Sequence, residues 1–97
     1  MKSRAEIIER LRQVRPELER EFGLNRLALF GSWARGDQRD GSDVDVLVDF
    51  SPTLGLRFVE MADRIEAVLG QRADVVSRRA ISSRFWPLIE GDLIDVT

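Results

Sequence analysis

Two aspartates, Asp43 and Asp45, stand at the head of an alternating stretch, "DVDVLVDF", in a chain of 97 residues. In a strand, residues two apart project to the same face roughly 6 to 7 Å from each other, so this spacing sets two carboxylates side by side. Left alone they repel, and burial raises that cost. Two chemistries fit the pattern. The pair is either solvated at a strand mouth or holds a divalent cation, and Mg²⁺ characteristically takes one or two carboxylates together with water and substrate phosphates.

Ten residues separate Asp43 from a second pair, Gly31 and Ser32. Glycine lets a ligand come close to the backbone, and the Ser32 hydroxyl with the free N–H groups of a helix start can hold phosphate oxygens. The simpler alternative is a tight turn at Gly31 followed by a serine N-cap. Amides for phosphates next to acids for a metal make both halves of a triphosphate site. The combination is far more specific than either half.

The elements that must carry these residues are legible from pattern. "SRAEIIERLRQV" opens with Ser3 and Glu6 in capping-box spacing and places Ile7, Ile8, Leu11 and Val14 on one helical stripe. Pro16 disfavours helical geometry at Arg15, which predicts a break or kink before a second helical segment, "PELEREF", ending near Gly23. "NRLALFGS" reads as a buried strand ending at Gly31, and "SWARG" as one helical turn. The strand from Asp43 puts Val44, Val46, Val48 and Phe50 on one face and Asp43, Asp45, Leu47 and Asp49 on the other. After the loop "SPTLG", a helix over "LRFVEMADRIEAVLG" stops at Gly70. "ADVVS" is a short strand, "SRFWPLIEG" a short helical piece and "DLIDV" a terminal strand. Helices alternating with strands predict an α/β sandwich and a single domain over residues 1–97.

Composition narrows the function. Fifteen Lys and Arg against 17 Asp and Glu give a net charge of −2, which argues against standalone nucleic-acid binding. There is no cysteine or histidine, so chemistry must rest on carboxylates, hydroxyls, Lys or Arg. The charged N-terminus lacks a signal-peptide core, and no apolar run is long enough to span a bilayer. A soluble, cytoplasmic protein without a membrane role is expected.

Glycine-serine, ten residues, then D-x-D, within "LFGSWARGDQRDGSDVDVLVDF", resembles the motif of the polymerase-beta-type nucleotidyltransferase superfamily. The short chain is most similar to its minimal nucleotidyltransferase (MNT) branch, many of whose members are antitoxins of HEPN/MNT toxin–antitoxin pairs. The resemblance implies an α/β (α+β) fold with a mixed sheet of about four strands flanked by helices. It also implies two Mg²⁺ ions held by Asp43, Asp45 and a third acid on a neighbouring strand, matched by Asp74 in "ADVVS", with Asp95 as the rival. Asp49 lies roughly 13 Å along the strand from Asp45, too far to share the metal pair, and reads as structural.

By the same resemblance, Gly31 and Ser32 hold the β- and γ-phosphates of ATP, Arg35 reaches a phosphate from just beyond them, and an acceptor hydroxyl attacks the α-phosphate in line. Asp74 is the candidate to accept the proton. The chain offers no acceptor domain, so the acceptor comes from a partner: a HEPN-domain toxin encoded nearby, modified with AMP on tyrosine and so silenced. Phe85 and Trp86 beside Pro87 either join the partner surface or close the core. The other class of function is a non-catalytic antitoxin that neutralises its partner by complex formation.

Overall fold

The first helix, α1 (Arg4–Phe22), begins where Ser3 accepts the Glu6 N–H at 3.1 Å and ends at Gly23, whose φ of 65° is the left-handed position that closes a helix. The computed structural model describes residues 2–51, 55 and 57–97. Of the break or kink expected at Pro16, the break does not occur: α1 runs through the proline as one helix. A proline inside a helix costs about 3 kcal/mol. Against that, Ile7, Leu11, Val14, Leu18 and Phe22 form one buried stripe along the whole length, each contributing roughly 1.5–3 kcal/mol. Burial on the far side of the proline wins.

The remaining elements are β1 (Leu24–Phe30), α2 (Gly31–Arg35), β2 (Val44–Phe50), α3 (Arg57–Leu69), β3 (Ala73–Ser77), α4 (Trp86–Glu90) and β4 (Ile94–Asp95), with a 3-10 turn at Arg78–Ala80. The expected start of the third helix at Leu56, and the loop residues Pro52, Thr53 and Leu54, lie outside the described residues.

The four strands form one sheet in the order β3-β2-β1-β4. β1 runs antiparallel to β2 and β4, whereas β2 and β3 are parallel, so the sheet is mixed. The parallel pair follows from α3, since a crossover helix returns the chain in its original direction. Val44, Val46, Val48 and Phe50 join Ile7, Leu11, Met61 and Ile65 in the core under α1 and α3. Leu47 and its register partner Ala28 are also buried, on the other face, outside that core cluster. The face carrying Asp45 is therefore apolar at Leu47 and acidic at its end.

Candidate active site

Register decides which acids meet. Asp45 is the direct partner of Asp74 on β3 and of Phe30 on β1, so Gly31 follows immediately after a residue paired with Asp45. Adjacent strands lie roughly 4.8 Å apart, which puts the Asp74 side chain on the Asp45 face. Asp43 sits two residues before Asp45, where the Val44 N–H donates to the Arg72 carbonyl at 3.0 Å and fixes the mouth of the parallel pair. The acid that follows α3 thus reaches the D-x-D pair, whereas Asp95 does not.

Asp95 belongs to the opposite edge. It accepts from Arg26 Nε at 2.7 Å and Nη2 at 3.1 Å, a bidentate pair that holds its carboxyl below the usual range. Asp49 is in loose contact with Arg79 at 3.8 Å. Both carboxylates have a cationic partner in the fold.

Asp45 has the reverse electrostatics. Burial first, then the charges of Asp74 and Asp43, raise its pKa above the ordinary aspartate value, while Arg35 acts in the other direction. Its environment favours the neutral form unless a cation arrives.

Gly31 explains how so crowded a site is built. Its φ is +73°, and a Cβ added there would stand 2.2 Å from Asp45 Oδ2. Only glycine permits both the backbone conformation and the approach of the carboxylate. The turn that follows is tied down from two sides: Arg4 on α1 donates to the Ala34 carbonyl at 2.7 Å, and the buried Trp33 indole donates to the Ser42 carbonyl at 3.3 Å. Trp33 therefore packs beneath the loop and couples α2 to the residue preceding Asp43.

Ser32 uses its carbonyl to accept the Gly36 and Asp37 N–H groups, and its half-buried side chain makes no hydrogen bond among the described residues. Arg35 is engaged by Asp92 at 2.7 Å and Asp37 at 3.1 Å, yet lies near enough to Asp45 to act on its ionisation. The Arg35–Asp92 pair spans 57 positions. No sequence pattern announces it. Phe85 is 55% exposed, while Trp86 is half-buried with the Arg78 guanidinium 3.7 Å over its ring.

Carboxylates alone are the hard oxygen donors that Mg²⁺ prefers, and the mutual repulsion at Asp45 is what a cation relieves. As they stand, no three acidic side chains among the described residues converge on one point as ion ligands. The donor set suits the ion, and coordination would have to draw the side chains together.

Residues 11–95 match the family model described as "Nucleotidyltransferase domain". The chain belongs to the nucleotidyltransferase domain family. Among its relatives, Protein adenylyltransferase MntA of Thermococcus cleftensis is 44% identical over 69 residues, 69% of each chain. A solved structure provisionally named a minimal nucleotidyltransferase is 33% identical, with a TM-score of 0.74 over 90% of this chain and 93% of that one. A chain of a toxin–antitoxin crystal structure with AMP-PNP is 25% identical, with a TM-score of 0.70 over 89% of this chain and 72% of that one. The mixed four-stranded sheet with flanking helices is thus the fold of this family. No described helix is long and apolar enough to cross a membrane.

Proposed function

We propose that this protein is a Mg²⁺-dependent adenylyltransferase that moves AMP from ATP to a tyrosine hydroxyl of a HEPN-domain toxin encoded nearby, silencing it in the cytoplasm. The observation that carries the reading is Asp45, in register with Asp74, two residues from Asp43 and pressed against Gly31. A site that raises the pKa of its central acid with no compensating ion pair is built for a charge the chain itself does not supply. The names of the relatives support the reaction class, and the AMP-PNP complex of a neighbour supports a nucleotide and a toxin partner.

In this reading Asp43, Asp45 and Asp74 hold two Mg²⁺ ions, which supply charge neutralisation of the triphosphate and acidification of the attacking hydroxyl. Gly31 and Ser32 cradle the β- and γ-phosphates, and the missing Cβ of Gly31 lets the Asp45 carboxylate stand against that cradle. Arg35 trades part of its contact with Asp37 for a phosphate oxygen. The acceptor oxygen forms a bond to the α-phosphorus as the bond to the bridging oxygen breaks, pyrophosphate leaves, and the hydroxyl proton passes to Asp74 and then to water.

The spacing of the acids also supports a second reading, in which the protein neutralises its partner by complex formation alone. One experiment separates the two. ATP labelled at the α-phosphate is incubated with Mg²⁺, the toxin and either wild type or the Asp43→Asn, Asp45→Asn double variant. Label on the toxin with wild type only, while both proteins still bind it, is the expected result. Silencing by both proteins without any label overturns the catalytic reading.

A further inference from the structure

The turn between α4 and β4 reaches the acidic site from far along the sequence. Asp92 stands on that turn two residues before Ile94, whose partner on β1 is Leu29, itself two residues before Gly31. Antiparallel pairing therefore brings Asp92 to the end of β1 where Gly31 and Asp45 meet. Its backbone is fixed there, because the Asp92 N–H donates to the Ile89 carbonyl at 3.0 Å and the Leu93 N–H to the Glu90 carbonyl at 3.3 Å.

Arg35 lies four residues after Gly31 and three after Ser32, so α2 sets it on the same side as that pair. Its charge acts on Asp45. The guanidinium is held at two corners: Nη1 donates to Asp92 at 2.7 Å and Nε to Asp37 at 3.1 Å, while Nη2 makes no hydrogen bond among the described residues. The two carboxylates are not equivalent. Asp37, with 61% of its side chain exposed, sits in the loop just beyond α2, whereas Asp92, 21% exposed, is carried by a turn that feeds a paired strand. An arginine at the end of a five-residue helix would otherwise sample many rotamers, and restricting it in advance lowers the entropy lost when it meets a ligand.

We propose that Asp92 is a positioning residue for nucleotide binding, holding the Arg35 guanidinium beside Asp45 with Nη2 open to a β- or γ-phosphate oxygen. The inference rests on the adenylyltransferase reading and adds the α4–β4 turn to the site. A guanidinium presents its donors in a rigid fork, so fixing Nη1 also fixes where Nη2 points. The arriving phosphate competes with the exposed Asp37, and the hold of Asp92 on Nη1 persists. A triphosphate gains from this arrangement and AMP does not, because AMP has no β- or γ-phosphate.

Calorimetric titration of AMP-PNP and of AMP, each with Mg²⁺, into wild type, Asp92→Asn, Arg35→Ala and the double variant tests this. Asp92→Asn keeps the size of the side chain and removes its charge. It should weaken AMP-PNP binding about tenfold and leave AMP binding within about twofold. In the Arg35→Ala background the same substitution should cost less than about twofold more, since its effect runs through the arginine. An equal loss for both nucleotides, or a further tenfold loss on top of Arg35→Ala, would make Asp92 a purely structural residue and overturn the inference. Unchanged AMP-PNP binding in Asp92→Asn would overturn it too, as would tighter binding, which would make Asp92 a competitor of the phosphates. A wild type that binds AMP-PNP yet never labels the toxin refutes the adenylyltransferase reading instead, and the same titrations still decide the role of Asp92. A wild type that binds neither nucleotide overturns both.

Discussion

Asp45 and Asp95 are the same residue type in one sheet, each opposite a residue of β1, and the fold treats them in opposite ways. Asp95, on the short edge strand, meets the Arg26 guanidinium face on and has its pKa lowered. Asp45, on an inner strand, meets burial and two further carboxylates and has its pKa raised. At Asp95 the sheet gains a modest stabilising ion pair. At Asp45 it gives up stability, and such a loss at a cluster of acids is how a protein keeps a site ready for a cation.

The largest effect that would sharpen this contrast is on transfer. Asp45→Asn should lower labelling of the partner by at least about a thousandfold, the scale on which essential electrostatic contacts at phosphoryl-transfer sites act, whereas Asp95→Asn should leave it within about twofold. A large loss with Asp95→Asn would break the comparison. Next comes Gly31→Ala, which forces a Cβ onto the Asp45 carboxylate at a positive φ. It should cost about 1–3 kcal/mol of stability in chemical denaturation, with loss of transfer.

A smaller and opposite effect is expected for Asp45→Asn on stability. A carboxyl whose pKa is raised on folding favours the native state only while protonated, and that contribution is lost as pH rises through its folded pKa. Removing the charge should therefore raise Tm at pH 7 by roughly 2–4 °C, because solvent screens a half-buried carboxylate and keeps the effect small. The difference should shrink as pH falls through the carboxylate range. Added Mg²⁺ should raise the Tm of wild type and leave that of Asp45→Asn nearly unchanged.

The smallest effect belongs to the edge. Because Asp95 has its pKa lowered, its contribution is present above the unfolded pKa and fades as pH falls through the folded one. Arg26→Ala should cost at most about 0.5 kcal/mol at pH 7 and nothing measurable in strong acid. A Tm that drops with Asp45→Asn and is indifferent to Arg26→Ala would reverse the assignment of the two acids.

Much of this fold was legible because its strands and helices repeat simple periods. The alternation from Val44 to Phe50 placed four side chains toward the core and the acids away from it, as found. "ADVVS" became β3 with the expected limits. Pro16 misled, because local backbone preference gave no measure of the apolar area that α1 buries on both sides of it. The site was legible where its parts lie close in sequence, as with Gly31, Ser32 and the D-x-D pair. It was not where a partner is distant: Arg4 on the Ala34 carbonyl and Asp92 on Arg35 both come from other parts of the chain.

What the sequence determined by itself was the inventory and its local order: acids two apart on one strand, glycine at the preceding turn, and no thiol or imidazole to offer other chemistry. Those follow from covalent spacing and side-chain type. Only the tertiary structure brought Asp74 rather than Asp95 beside the D-x-D pair, because that depends on which strand lies beside β2. Strand order is set by how α3 returns the chain alongside β2 and by the apolar face that it buries, and neither is encoded in the few residues around either aspartate.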